Sequence, residues 1–369
     1  MSKARQLADL GNVYDDGALS NRNVITNGDF IINQRGTATT NLTGGGVWFA
    51  DRFFSQTDGT SIVVSGSRST DVPSGTTFST SIKFDTTTAA TATDHFTRFT
   101  TRIEGYDAKR IGVSTSGNKI TLSFWVKSTR AGTHTVGLST GYRGGTNYAA
   151  AAITLSYTIN SASTWEYKSI AFDSYDTGGS AAWNSDNSLG LEIAFVAGQG
   201  SGIGNNNTAL NTWQDFASTA YVNPKSTSDN NNWGTSTSDE WFICGVQLEI
   251  GDTSTPFEHR SFADQLQACQ RYYVNSGTAP FGISSASDVL FGRGESYVGW
   301  DYPVEMRTTP TVYTANDATT GAGRYAVSSV NNFTDGDVDT NTSRHFRMRT
   351  PSTNASYDTR LGYEANAEL

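Results

Sequence analysis

Several stretches of the sequence carry residue types whose spacing could do chemistry. Gly137-Leu138-Ser139-Thr140-Gly141 matches the pattern that exposes a serine nucleophile on a sharp turn. That chemistry needs a strand–turn–helix in an α/β sheet, with an acid and a histidine later in the chain. Here Tyr142-Arg143-Gly144-Gly145 follows as a loop among strand-like segments. Gly198-Gln199-Gly200-Ser201-Gly202-Ile203-Gly204 is glycine-rich, but no register satisfies G-x-G-x-x-G and no Lys-Ser/Thr follows to contact phosphates. Asp335-Gly336-Asp337-Val338-Asp339 begins like a calcium loop, yet Thr340 and Phe346 stand where glycine and glutamate are needed. The four histidines, His95, His134, His259 and His345, lack paired metal-ligand spacing. No motif pairs two carboxylates at the roughly 5–10 Å that glycoside hydrolysis requires. The sequence therefore assigns no catalytic residue, no metal and no cofactor, and the expectation is a protein that is not an enzyme.

Tryptophan is the residue type left over. The chain has eight, and core packing accounts for most of them. Trp183, Trp213 and Trp233 differ, because each lies in a Ser/Asn/Asp/Gly-rich stretch with little apolar alternation around it. An indole face beside amides and carboxylates can stack on a sugar ring while its neighbours bond the hydroxyls. With Tyr221 they form the expected ligand-binding set. Residues 198–239, which hold three of the four, read as long Asn/Gly-rich loops, and loops of that length are usually functional or mobile.

The elements that must position these residues are strands. Only 17% of the 369 residues are charged against about 25% in an average globular protein, while aromatics reach 12% and glycines number 37. Few long charged side chains, many aromatics and abundant turn formers suit short strands joined by turns. The net charge of −9 removes the counterion-release term behind non-specific nucleic-acid affinity. No apolar stretch approaches the roughly 18 residues of a membrane span, and the first residues show no signal-peptide core, so a soluble, unprocessed product is expected. Cys244 and Cys269 read as buried free thiols.

Residues 24–257 show strand patterning throughout, with Ile120, Leu122, Phe124 and Val126 alternating against Thr121, Ser123, Trp125 and Lys127. The last strand, 241–250, would place Phe242, Cys244, Val246, Leu248 and Ile250 on one face. Ser261 and Asp264 then open a helix over 261–275 by a capping box. The expected architecture is all-β: an antiparallel jelly-roll β-sandwich at 24–257, a linker helix within 258–276 and a second, smaller β domain at 277–369. Residues 1–23 form an attachment peptide whose first ten residues make a short helix with Leu7 and Leu10 on its apolar side. So few residues cannot hold a helix alone in water, so it frays or docks.

Asn23-Val24-Ile25-Thr26-Asn27-Gly28-Asp29-Phe30, Gln34-Arg35-Gly36 and Ala50-Asp51-Arg52-Phe53 resemble the opening of tail-fibre and minor virion structural proteins of marine and cyanobacterial bacteriophages. So do Gly245-Val246-Gln247-Leu248-Glu249, Thr255-Pro256-Phe257-Glu258, Cys269-Gln270-Arg271-Tyr272-Tyr273, Tyr302-Pro303-Val304-Glu305-Met306-Arg307 and Ala365-Asn366-Ala367-Glu368-Leu369. The central module is similar to the jelly rolls of carbohydrate-binding modules. The resemblance implies a homotrimeric virion protein whose N-terminus, through Leu7 and Leu10, joins other tail or capsid proteins. It implies a receptor-binding subunit that holds a host surface polysaccharide non-covalently, with no nucleic-acid partner and no membrane insertion. A capsid decoration or head-fibre subunit without a ligand, and a polysaccharide depolymerase, are the alternatives.

Overall fold

The computed structural model describes residues 21–42, 46–59, 61–91, 93, 95–140, 151–175, 183–201, 205–206, 209–215, 222–223, 233–275, 296–314, 324–327, 334–335, 337–350, 359–360 and 363–369. The expected N-terminal helix with Leu7 and Leu10 lies outside the described residues, as does Tyr221. The chain forms two compact units. One comprises residues up to Ile31, Ala38–Phe49 and Phe53–Arg260; the other gathers Ile32–Thr37, Ala50–Arg52 and residues from Ser261 on.

The first unit is an antiparallel β-sandwich. In chain order its elements are β1 (Thr40–Asn41), β2 (Val47–Ala50), β3 (Phe53–Asp58), β4 (Val63–Ser69), β5 (Ser81–Thr88), β6 (Phe96–Glu104), α1 (Gly105–Arg110), β7 (Lys119–Ser128), β8 (Gly132–Thr140), β9 (Ala151–Ile159), β10 (Glu166–Asp173), β11 (Leu189–Gln199), β12 (Asn205–Asn206), β13 (Gln214–Asp215), β14 (Val222–Asn223) and β15 (Glu240–Ile250). A six-stranded sheet runs β1-β4-β5-β15-β7-β10, and a seven-stranded sheet runs β13-β9-β8-β11-β6-β3-β2. The stretch expected to be loops at 198–239 contributes the end of β11 and the short strands β12, β13 and β14, with β13 pairing β9. The short helix α1 has no counterpart in the sequence reading.

Alternation explains β7: Ile120, Leu122, Phe124 and Val126 are fully buried between the sheets. An aromatic lattice fills the interior. Phe84 of the six-stranded sheet stacks on Trp241 at 5.4 Å and meets Phe99 of the other sheet edge-on at 6.0 Å. Phe124 likewise meets Phe195 and Tyr157 edge-on at 5.0 and 5.1 Å. Edge-to-face packing suits the ring quadrupole, and these interlocked rings account for much of the aromatic content.

The last strand departs from its expected one-face pattern. A bulge between Cys244 and Gln247 shifts the register of β15 against β7. Before it, Phe242 pairs with Lys127 and Lys83 on the outer face; after it, Leu248 pairs with the inward Leu122. Gly245 takes the left-handed conformation the bulge requires, φ 62°. The Asn23 side chain holds the bulge: its Oδ1 accepts from the Ile25 and Leu248 amides at 3.0 and 3.1 Å, and its Nδ2 donates to the Val246 carbonyl at 3.1 Å. Glu258 accepts from the Asn23 amide at 2.8 Å, and its own amide donates to Gln247 Oε1 at 2.8 Å. Glu249 accepts from both the amide and hydroxyl of Thr255 at 2.9 and 2.6 Å.

The second unit carries α2 (Phe262–Gln270), β16 (Tyr273–Asn275), β17 (Ser296–Asp301), β18 (Thr311–Thr314), β19 (Arg324–Val327), β20 (Thr334–Asp335), β21 (Asp337–Asn341), β22 (His345–Thr350), β23 (Thr359–Arg360) and β24 (Tyr363–Asn366). Ser261 caps α2, accepting from the Asp264 amide at 3.2 Å. Three-stranded sheets run β16-β24-β18, β17-β22-β21 and β20-β19-β23. Val274, Tyr302, Met306, Phe346, Ala365 and Ala367 make its core.

Beside this core lies a buried cluster of charges. Gln34 donates to Asp51 from its amide at 3.0 Å and its side chain at 2.6 Å. Arg35 sits 3.9 Å from Asp51 and 3.6 Å from Glu368, and Arg52 bonds to Glu368. Both guanidinium groups also cover aromatic rings, Arg35 at 3.6 Å over Tyr273 and Arg52 at 3.4 Å over Tyr272. Arg52 adopts φ 70°, a strained conformation for a long side chain that persists because its partners over-determine it. Burial pushes the Asp51 carboxyl up, against the hydrogen bonds from Gln34 and the charge of Arg35.

Two tests follow from this packing. Removing one partner of a buried pair costs about 3–5 kcal/mol, so Glu368→Ala should lower the chemical-denaturation stability of the second unit by that amount. His134 is buried against the Tyr157 ring at 5.6 Å and donates from Nε2 to the Arg130 carbonyl at 3.0 Å. Burial lowers its pKa from 6.5 to about 4, with the Arg130 bond opposing and the Lys168 charge assisting. The folded state then binds fewer protons than the unfolded one, and stability is lost as pH falls from 6.5 towards 4. The stability difference between the native chain and His134→Gln should therefore shrink by about 3 kcal/mol between pH 7 and pH 4 in a denaturant titration.

Candidate functional site

Two of the sequence-selected tryptophans come together. Trp213 lies just before β13 at the edge of the seven-stranded sheet, and Tyr175 lies just after β10 at the edge of the six-stranded sheet. Their rings stack with centroids 5.4 Å apart and planes 9° apart. Trp183 meets Trp213 edge-on at 5.9 Å. All three rings are half-buried.

Each indole is aimed by the main chain. Trp213 Nε1 donates to the Asp173 carbonyl at 2.7 Å, and Trp183 Nε1 donates to the Tyr175 carbonyl at 3.0 Å. The exposed Asp173 carboxylate pairs with Lys119 at 2.5 Å next to this group. The result is a rigid, partly exposed aromatic group flanked by a charged pair. Its rings offer apolar faces to a saturated ring, and Asp173 and Lys119 offer an acceptor and donors to hydroxyls.

Trp233 does not belong to this site. It sits in a turn closed by Asp239, whose carboxylate accepts from the Gly234 and Ser236 amides at 2.9 and 3.1 Å and from Arg130 Nε at 2.6 Å. The turn buries the indole completely, against Gly198, where a Cβ would collide with the ring. A Ser/Asn/Gly-rich surrounding marked all three tryptophans alike, but here those small residues make the turn that tucks the ring inward. Tyr175 was missed because it follows directly on an ordinary strand.

Two of the motifs read for chemistry have described residues that lie in strands. Ser139 lies within β8 opposite Glu192 of β11, not on an elbow. Asp337–Asn341 forms β21, a strand of the second unit. A shallow cavity of about 360 Å³ in that unit is lined by Asp301, Tyr302, Pro303, Val304, Glu305 and Arg344. Of its two carboxylates, Glu305 is tied to Arg344 at 2.8 Å.

A second set of aromatic rings lies on the outer face of the six-stranded sheet. Trp125 of β7 stands directly opposite Tyr167 of β10, centroids 5.3 Å apart. Trp165 lies 6.0 Å from Phe242 on the same face. The signal was available in the sequence, since Trp125 falls in the polar phase of the β7 alternation.

No protein-family model matches the chain, and no curated protein matches it. Among solved structures, the enzymatically active domain of tailspike protein 4 of bacteriophage CBA120 aligns at 16% identity and a TM-score of 0.31. That alignment covers 62% of this chain and 22% of the tailspike chain. The family 11 carbohydrate-binding module of the cellulase Lic26A-Cel5E of Clostridium thermocellum aligns at 14% identity and TM-score 0.30, covering 60% of this chain and all of that one. The tandem CBM22-1–CBM22-2 domain of Paenibacillus barcinonensis Xyn10C aligns at 9% identity and TM-score 0.27, over 94% of this chain and 90% of that one. At these scores and identities the alignments carry no argument about activity, and the β-sandwich is established by the strand order described above.

Proposed function

We propose that this chain is a bacteriophage virion protein of the tail-fibre or receptor-binding type, which holds a host surface glycan without covalent chemistry. One observation carries the binding part: Tyr175, Trp183 and Trp213, from three separate segments, meet as a half-exposed group whose indole N–H bonds fix its orientation. Orienting the rings before binding removes an entropic cost that a flexible loop would bear on association. The virion part rests on the sequence resemblance, which also supports a homotrimer attached through its first residues. Linked sites on such an oligomer raise avidity about 10²–10⁴-fold without strong single sites.

A second reading, a particle protein with no ligand, is favoured by a different observation. The stretches that carry the resemblance build the bulge clamp around Asn23 and the charge cluster around Arg52 and Glu368, and so serve the fold.

A glycan array probed with the purified protein separates the two readings. Binding is expected, and Trp213→Ala should weaken it about tenfold, the equivalent of about 1.4 kcal/mol; no binding to any glycan would leave the second reading. Deleting residues 1–20 should leave a folded oligomer that no longer joins particles, checked by gel filtration and particle reconstitution. A monomeric, unfolded product would sink the attachment role.

A further inference from the structure

The outer face of the six-stranded sheet carries more aromatic surface than its fold requires. Trp125 is half-exposed and Tyr167 is 42% exposed, and the pair faces away from the sandwich interior. Trp165 continues the row and is held from two sides. Its Nε1 donates to Asp71 Oδ1 at 2.9 Å, and the Lys127 ammonium lies 5.4 Å from its ring centre. Lys127 in turn bonds to Asp71 and lies 4.0 Å over the Phe242 ring. Lys83 pairs with Glu240 at 2.5 Å and Asp85 at 3.5 Å.

These contacts define what could lie on the face. The two lysines are matched by three carboxylates, Asp71, Asp85 and Glu240, so the face offers no excess positive charge to an anionic polymer. Burial draws the Asp71 carboxyl up, but its bonds from Lys127 and Trp165 outweigh that and hold it low and charged. The Trp165 ring is therefore held by an ion pair whose two charges answer each other. Around the rings the face shows the exposed Ser169 beside Tyr167 and, further along the same two strands, the mutually paired Lys119 and Asp173. β10 is also the edge of its sheet, with β7 its only partner among the described residues, so the face is open along that side.

We propose that Trp125, Tyr167 and Trp165 form a second binding surface, separate from the Tyr175–Trp183–Trp213 group, for a neutral polysaccharide chain. Exposed rings among mutually paired charges suit the apolar faces of pyranoses, and the slight excess of carboxylate disfavours uronic acids. The surface rests on the sandwich fold alone and stands whether or not the first group binds.

Affinity electrophoresis of the full chain tests it, in gels containing in turn a soluble β-glucan, a xylan, a mannan or dextran, with alginate as the acidic control. At least one neutral polymer should retard the protein and alginate should not. Trp125→Ala/Tyr167→Ala should weaken that retardation at least fivefold, whereas Phe262→Ala, which removes an exposed ring on α2, should not. Trp125→Phe/Tyr167→Phe keeps both rings and should retain binding, and Ser169→Glu adds a charge on the exposed face and should lose it without touching the core. The proposal is overturned if no neutral polymer retards the native chain, if alginate alone does, or if Ser169→Glu and the double alanine variant bind as the native chain does. It is also overturned if those variants change the sedimentation coefficient instead, which would make the face a contact between copies of this chain.

Discussion

Insertion of β15 between β5 and β7 is the constraint on which the sandwich depends. This strand comes last in the unit yet occupies the middle of its sheet, so the six-stranded sheet is incomplete until residues 240–250 arrive. Its bulge lets one strand place Trp241 and Ile243 inside, Phe242 outside and Leu248 inside again. Asn23 bonds the Leu248 amide and the Val246 carbonyl beside the bulge. Without those bonds the buried polar groups would lose their partners, at roughly 1–3 kcal/mol each. Gly28 completes the clamp, because a Cβ there would collide with the Val246 carbonyl.

The second unit meets a different problem with different chemistry. Its core is small, and beside it Arg35, Asp51, Arg52 and Glu368 are nearly or fully withdrawn from water. Buried ion pairs are poor sources of net stability, and removing one partner is costly because it strands the other charge. Here Gln34, two aromatic faces and the final residues of the chain surround the charges. The cluster joins segments more than 300 residues apart, and each arginine has a defined ring and a defined acid.

The same economy shapes the surface. A chain poor in charge has few long side chains to cover its sheets, so exposed rings stand out. On the six-stranded sheet, lysines pack over Trp165 and Phe242 and are neutralised there, which leaves the rings as the prominent chemistry. At the edge of the sandwich, main-chain carbonyls do the corresponding job for Trp183 and Trp213. In both places polar groups orient aromatic ones.

The sequence by itself determined the β class, the alternating strands such as β7, the cap of α2 at Ser261 and the polar setting of Trp183 and Trp213. These are local properties, written in period-two patterns and in residues that favour turns or caps. It did not reveal that Trp233 is buried, that β15 changes face midway, or that residues 198–239 supply short strands. Each of those depends on what approaches from elsewhere in the chain: Gly198 making room for the Trp233 ring, Asn23 bracing a bulge, β9 accepting a partner. The motifs quoted from distant positions converge for the same reason. Only the tertiary structure decided that Asn23, Gln247 and Glu258 form one clamp and that Arg52 and Glu368 form one ion pair. A side chain's partner is set by the path of the backbone through space, and composition and spacing carry no record of that path.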